Sequence, residues 1–453
     1  MSEQKKYKFL EFMDLFINGI HHLDGAYTGQ FGGLFVSSCM ELNGNLDMKK
    51  LQNAIQTVYD KIESSRIVIV KDESKQYFKI LEKYEYKLDL IKFEAKSYKK
   101  IKKLALDNIN KFNKEGPLVH DEISMFVRVY QLKNNNYIIA LFIDHCVADG
   151  YAASMIMRML MAAYKDPNTK CMDNLVSFEE YYEDELKKFE NTKNAEYWRK
   201  EVANYKPILF REDNLPNKSH LPDLDYYMVF PSDMISEIAK RNKVTSFNII
   251  SLATHLALYA TYGIKDSAIS IASGNRMSEK ELRKVAMITN LLTNRIKIEE
   301  DKKVSELLQY EKRKTMENIM HRDSTFKDTG VTRVILTYMS LDSTLNLDND
   351  NKMPSFDYAT FSPKPTISGI DFSFLILVGL ELKGTTLMAM QCCKDYFLNE
   401  DILSFKKAFE DFIFFINKKP DATVREYYEY TRSGKHLRGI KYFLFKKLVQ
   451  SKI

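Results

Sequence analysis

No uninterrupted apolar run in the chain approaches the roughly 18 residues that a membrane-spanning helix needs. The opening stretch MSEQKKYKFLEFMDLFING has no charged n-region followed by an apolar h-region and a small-residue cleavage site. A cytoplasmic protein is therefore expected. Cysteine is scarce: Cys39, Cys146, Cys171, Cys392 and Cys393 fall in no metal-ligand spacing, and such an odd, scattered set suits reduced core thiols. Net charge is only +6 over 453 residues, too dilute to argue for nucleic-acid binding. There is no internal repeat at solenoid periods, no low-complexity block and no Gly-x-Ser-x-Gly elbow. What remains is 45% hydrophobic and 28% charged, the profile of a soluble globular chain, long enough for two or three domains.

Helix and strand patterns alternate along it. In LDMKKLQNAIQTVYDKI (46–62) the residues Leu51, Ala54, Ile55, Val58 and Ile62 share one helical face, with Asp47 as the cap. SSRIVIV and QYFKIL read as strands, and SYKKIKKLALDNINKF as a second amphipathic helix. Residues 125–131 and 137–143 read as a hairpin across KNNN, because Asn accepts the turn conformations required. After Tyr164 come a polar loop, a charged helical segment and a stretch with three prolines, together a connector. The pattern then resumes with a strand at 226–230, helices at 231–242 and 245–262 (Ser246 as cap), and a strand at 268–273. The expected division is a first half at 1–175, a connector at 176–225, a second half at 226–430 and a tail at 431–453. Mixed elements in both halves make the fold class α/β, with layered α+β halves.

The chemistry concentrates in YIIALFIDHCVADGYAASMIMRML (137–160). A buried strand ends in Asp144 and His145, and Asp149-Gly150 follow after three residues. Asp149 is placed to cap a helix whose inner face is Ala153, Ile156, Leu160 and Tyr164. Gly150 would permit a tight turn or a close approach to a ligand. Chemistry in open α/β sheets gathers just past the C-terminal ends of strands. A catalytic histidine and a histidine that merely satisfies a core both fit this pattern. A metal pair on one helix fits poorly, since His145 precedes the helix.

DHCVADG resembles the His-His-x-x-x-Asp-Gly signature of the condensation-domain superfamily, which includes chloramphenicol acetyltransferase and the condensation domains of nonribosomal peptide synthetases. Four further stretches resemble that family in the same order: 42–66, ending at Arg66; NAEYWRKEVANYKPILF (194–210); AISIASGNRMSEKELRKVAMITNLLTNRIKI (268–298); and TRVILTYMSLD (332–342). The resemblance covers most of residues 10 to 416. It implies two chloramphenicol-acetyltransferase-like halves in a V-shaped pseudo-dimer with a central tunnel. His145 would engage an amine or hydroxyl as that group attacks an acyl thioester. The donor would be a phosphopantetheine thioester on a carrier protein, arriving in trans, or acyl-coenzyme A; no metal or bound cofactor is implied. An alcohol O-acyltransferase using coenzyme A and a catalytically silent docking protein are the rival readings.

The resemblance also assigns supporting roles. Asp149 would pair with an arginine, Arg66 by position and Arg295 next, so that Asp149, Gly150 and Arg66 form the scaffold of His145. Asn275 and Asn290 match polar positions of the second half, read as loop or strand-end hydrogen bonding with oxyanion contact as the alternative. Two departures stand out. Asp144 replaces the signature's first histidine, and its carboxylate is expected to raise the pKa of His145. Gly274-Asn275-Arg276 carries an inserted Asn. Among other residues, His21-His22 read as an exposed or satisfied pair, with tunnel lining as the alternative, and His255 as a core histidine. Cys392-Cys393 would point to opposite faces of a strand. The tail KHLRGIKYFLFKKLVQSKI (435–453) is basic and amphipathic, and would either pack on its own domain or meet something anionic, an acidic carrier protein or a membrane surface.

Overall fold

The computed structural model describes residues 5–11, 13, 20–21, 27–28, 35–72, 75–115, 123–188, 190–206, 224–340, 359–361, 375–382, 384–392 and 397–433. The tail 435–453, the proline-bearing stretch 207–223, His22 and Cys393 lie outside these residues.

In chain order the strands are β1 (Ile20–His21), β2 (Tyr27–Thr28), β3 (Phe35–Asn43), β4 (Ile67–Asp72), β5 (Lys75–Ile80), β6 (Asp89–Lys92), β7 (Met125–Gln131) and β8 (Asn136–Asp144). The later strands are β9 (Leu224–Pro231), β10 (Asp266–Ser273), β11 (Asn290–Lys297), β12 (Val334–Ser340), β13 (Ala359–Phe361), β14 (Leu375–Leu382) and β15 (Thr385–Cys392). The helices used below are α1 (Met48–Lys61), α2 (Tyr98–Glu115), α3 (Gly150–Lys165), α4 (Phe178–Lys188), α5 (Thr192–Glu201), α6 (Ser232–Asn242), α7 (Ser246–Tyr262), α8 (Val304–Met320) and α9 (Asn399–Lys418). The fold is α/β, as expected.

The first large sheet runs β13-β3-β8-β7-β6. The run Ile138–Ile143 is apolar without alternation because β8 is covered on both faces. Ile139, Leu141 and Ile143 pack with Leu51, Ile55 and Val58 of α1 and Ile156 and Leu160 of α3. Ile138, Ala140 and Phe142 point the other way, onto Ile101, Ala105 and Ile109 of α2. A strand walled by helices on two sides needs no polar face. Asn134 and Asn135 turn the β7–β8 hairpin at positive φ, 57° and 56°. Asp47 caps α1 through the amide of Lys50, as the sequence predicts.

The second sheet runs β11-β10-β12-β14-β15-β9 and carries its own core with α6, α7, α8 and α9. The cap of α7 is Thr245 in a capping box with Asn248, not Ser246, which is the first helical residue. His255 is fully buried there and bonds Ser267 Oγ at 2.7 Å, a core histidine. The two sheets interlock: β13, from late in the chain, pairs antiparallel with β3 at the edge of the first sheet, Phe361 opposite Cys39.

Candidate functional site

The site forms where β8 gives way to α3. Asp144, the last residue of β8, donates its amide to Ser124 O at 2.8 Å. Its carbonyl accepts from Val147 at 3.0 Å and Ala148 at 3.1 Å, and its carboxylate accepts from the Cys146 amide at 2.8 Å. Asp144 therefore closes the turn that displays His145. Burial pushes the Asp144 carboxyl up to about 6, against the pull of the Cys146 amide.

The expected effect of Asp144 on His145 is not found. Burial dominates at His145 and lowers its pKa, with the charge of Asp149 and backbone groups pulling the other way. His145 is half-buried while its neighbours Asp144, Cys146, Val147 and Ala148 are buried. This favours the neutral imidazole.

A raised Asp144 pKa means that the folded state holds this proton more tightly than the unfolded chain does. Stability is full below the ordinary aspartate pKa, falls as pH rises toward 6, and stays reduced above it. Asp144→Asn keeps the acceptor for Cys146 and removes the ionisation. It should gain on the order of 2–3 kcal/mol at pH 8, at 1.36 kcal/mol per unit, and nothing near pH 4. Denaturant melts at the two pH values check this; an Asn variant no more stable at pH 8 contradicts it.

Asp149 caps α3, its Oδ1 accepting from the Ala152 amide at 2.9 Å. Its charge is met by Arg276, Nη1 to Oδ2 at 2.7 Å and Nη2 to Oδ1 at 3.0 Å. Oδ2 also accepts from Thr289 Oγ1 at 3.0 Å and from the Ile288 amide at 3.3 Å. Burial alone would raise the Asp149 pKa, but the guanidinium and these bonds hold it below the usual carboxylate range. Arg276 reaches the carbonyls of Gly274, Lys284 and Ala286 as well, and its guanidinium lies 4.3 Å from the centre of the Tyr151 ring.

This corrects the expected pairing. Arg66 is buried, but donates to the carbonyls of Leu81 and Tyr59, so it staples the end of α1 to the chain after β5. Arg295 pairs with Asp266, with Nε and Nη2 at 2.8 Å from its two oxygens. The Asn that looks inserted before Arg276 has a structural use. Asn275 sits in the left-handed region, φ 49°, a conformation Asn accepts more readily than most residues, and the chain turns Arg276 toward Asp149.

The other named residues take local roles. Asn275 is buried and accepts from Ser273 Oγ at 2.9 Å. Asn290 donates to the carbonyls of Arg322 at 2.9 Å and Ser324 at 2.8 Å, so both side-chain amide hydrogens are engaged in local bonds. Both line a small cleft of about 30 Å³, shared with Thr289, Glu185 and Lys188. Gly150 has no left-handed φ, and a Cβ there would meet Met339 Sδ at an ordinary 3.6 Å. Gly150 is the first residue of α3, so of its two expected uses the tight turn is not the one taken. The sequence reading missed Arg276 as the ion-pair partner, although the Gly-Arg segment contained it, and missed Thr289 and Tyr151 altogether.

A family model described as Condensation domain matches residues 30–435. "Bacitracin synthase 3" of Bacillus licheniformis is 23% identical over 298 residues, 64% of this chain but 4% of that protein. The chain thus spans only a small fraction of that relative's length. The first condensation domain of the calcium-dependent antibiotic synthetase, solved with a substrate analogue, superposes with a TM-score of 0.72 at 14% identity, covering 93% of this chain and 98% of that one. The starter condensation domain of rhizomide synthetase RzmA, solved with C8-CoA, gives 0.73 at 11% identity, covering 93% and 97%.

Proposed function

Because the chain belongs to the condensation-domain family, which forms amide or ester bonds, we propose that it is an acyltransferase in which His145 engages the nucleophile. The observation that carries the proposal is the half-buried His145, with a pKa below its ordinary value, on a turn fixed by a buried carboxylate–guanidinium pair. A neutral imidazole can accept a proton from an amine or hydroxyl as it attacks a thioester carbonyl, or orient that group. The thioester carbon gains the new bond to nitrogen or oxygen, and the thiolate leaves and takes up a proton. Asp149 and Arg276 act as the scaffold of His145.

The donor on this reading is an acyl or peptidyl group on a carrier protein's phosphopantetheine arm. Acyl-coenzyme A is the second reading, supported by the likeness to a domain solved with C8-CoA. No described helix is long and apolar enough to cross a membrane. Intact-mass detection of acyl transfer from loaded carrier proteins and from acyl-coenzyme A, to a panel of amines and alcohols, tests the proposal. Transfer from the carrier to an amine or alcohol is the expected result. Transfer from coenzyme A alone would favour the alcohol O-acyltransferase, and no transfer from either donor would leave a silent docking protein.

A further inference from the structure

We propose that Tyr181 is a positioning residue for His145, acting through the main chain of Met287. The inference rests on the role given to His145 above. Tyr181 is buried on α4, and its hydroxyl donates to the Met287 carbonyl at 2.6 Å. The amide of Met287 donates to the Val147 carbonyl at 2.8 Å, and Val147 lies in the turn two residues after His145.

The next amide, that of Ile288, shares a rigid peptide plane with the Met287 carbonyl. That amide donates to Asp149 Oδ2. One plane is therefore held by Tyr181 at its oxygen and by Asp149 at its nitrogen. The amide just before it grips the His145 turn.

The surrounding segment has no slack to take up a lost bond. Lys284 is buried and pairs with Asp184 of α4 at 2.9 Å, while Lys280 reaches the same carboxylate at 2.6 Å. The amide of Val176 donates to the Arg283 carbonyl at 3.2 Å. With the preceding segment fixed in this way and β11 beginning at Asn290, the 287–288 peptide is the part free to rotate once its carbonyl loses the hydroxyl, because a buried carbonyl without a donor seeks another. Rotation pulls the Ile288 amide from Asp149 and slackens the turn that carries His145. The ring then gains solvent, and its pKa climbs from the lowered value that burial imposes, Asp149 being the charged side chain that acts on it.

Tyr181→Phe keeps the ring and removes only the hydroxyl. Phe405→Leu, a buried packing change on α9 in the core of the second sheet, serves as the control for general destabilisation. Tyr181→Phe should lower kcat about tenfold, leave the KM for the acyl donor within about twofold, and move the acid limb of the pH–rate profile upward. Phe405→Leu should leave that limb in place. The NMR titration of the His145 ring, assigned by its loss in His145→Ala, should rise in Tyr181→Phe without substrate present. An upward titration in a protein whose wild type transfers no acyl group would keep the positioning role and remove the catalytic reading. Unchanged titration and turnover in Tyr181→Phe, or effects equal to those of Phe405→Leu, would overturn the inference.

Discussion

Arg276→Ala is expected to destabilise the protein by about 3–5 kcal/mol, the range for removing one partner of a buried ion pair. Both side chains are almost wholly buried, 5% exposed for Arg276 and 3% for Asp149. Removing the guanidinium leaves an uncompensated carboxylate in the interior and three carbonyls without a donor they now share. The pH dependence carries a signature. In the wild type the lowered Asp149 pKa gives stability that is present above the ordinary aspartate pKa and lost as pH falls through the folded value. Without Arg276 the burial effect is opposed only by the hydrogen bonds from Ala152, Ile288 and Thr289, the Asp149 pKa rises, and ionisation costs stability as pH rises. The gap between wild type and variant is therefore widest at neutral pH and narrows toward pH 4. Arg276→Lys should recover little, because an ammonium cannot reproduce the two-pronged contact. Double-mutant cycles by denaturant unfolding check the partner: Asp149 should couple to Arg276 and be additive with Arg66. Coupling to Arg66 and none to Arg276 would contradict the assignment.

That assignment also shows where the sequence was legible. The two-faced apolar run of β8, the Asn turn before it and the Asp149 cap follow from local rules, and each appears at the expected residues. The partner of Asp149 does not follow from local rules. It lies 127 residues away and depends on the left-handed backbone of Asn275, which a linear pattern reads as an insertion. Arg66 had the expected position but a different use, since guanidinium groups also serve to satisfy carbonyls at helix ends. The Tyr181–Met287–Val147 link runs through backbone groups that carry no side-chain signature at all. Asp144 was visible as a departure, but its effect depends on burial, which turns the expected rise at His145 into a rise at Asp144 itself.

His145→Ala should lower the rate of acyl transfer by about 10²- to 10⁴-fold, the usual contribution of a positioned acid–base group. Folding should survive, because the bonds that shape the turn run through Asp144, Val147, Ala148 and Asp149. In the wild type the reaction requires the neutral ring, so its rate should fall on acidification only below the ordinary histidine pKa, as the lowered value of His145 dictates. The most direct measurement is a single-turnover transfer assay by intact mass, wild type beside His145→Ala, with the best donor and acceptor from the panel. The account predicts loss of transfer in the variant with an unchanged melting temperature. Transfer at the wild-type rate by His145→Ala would contradict it.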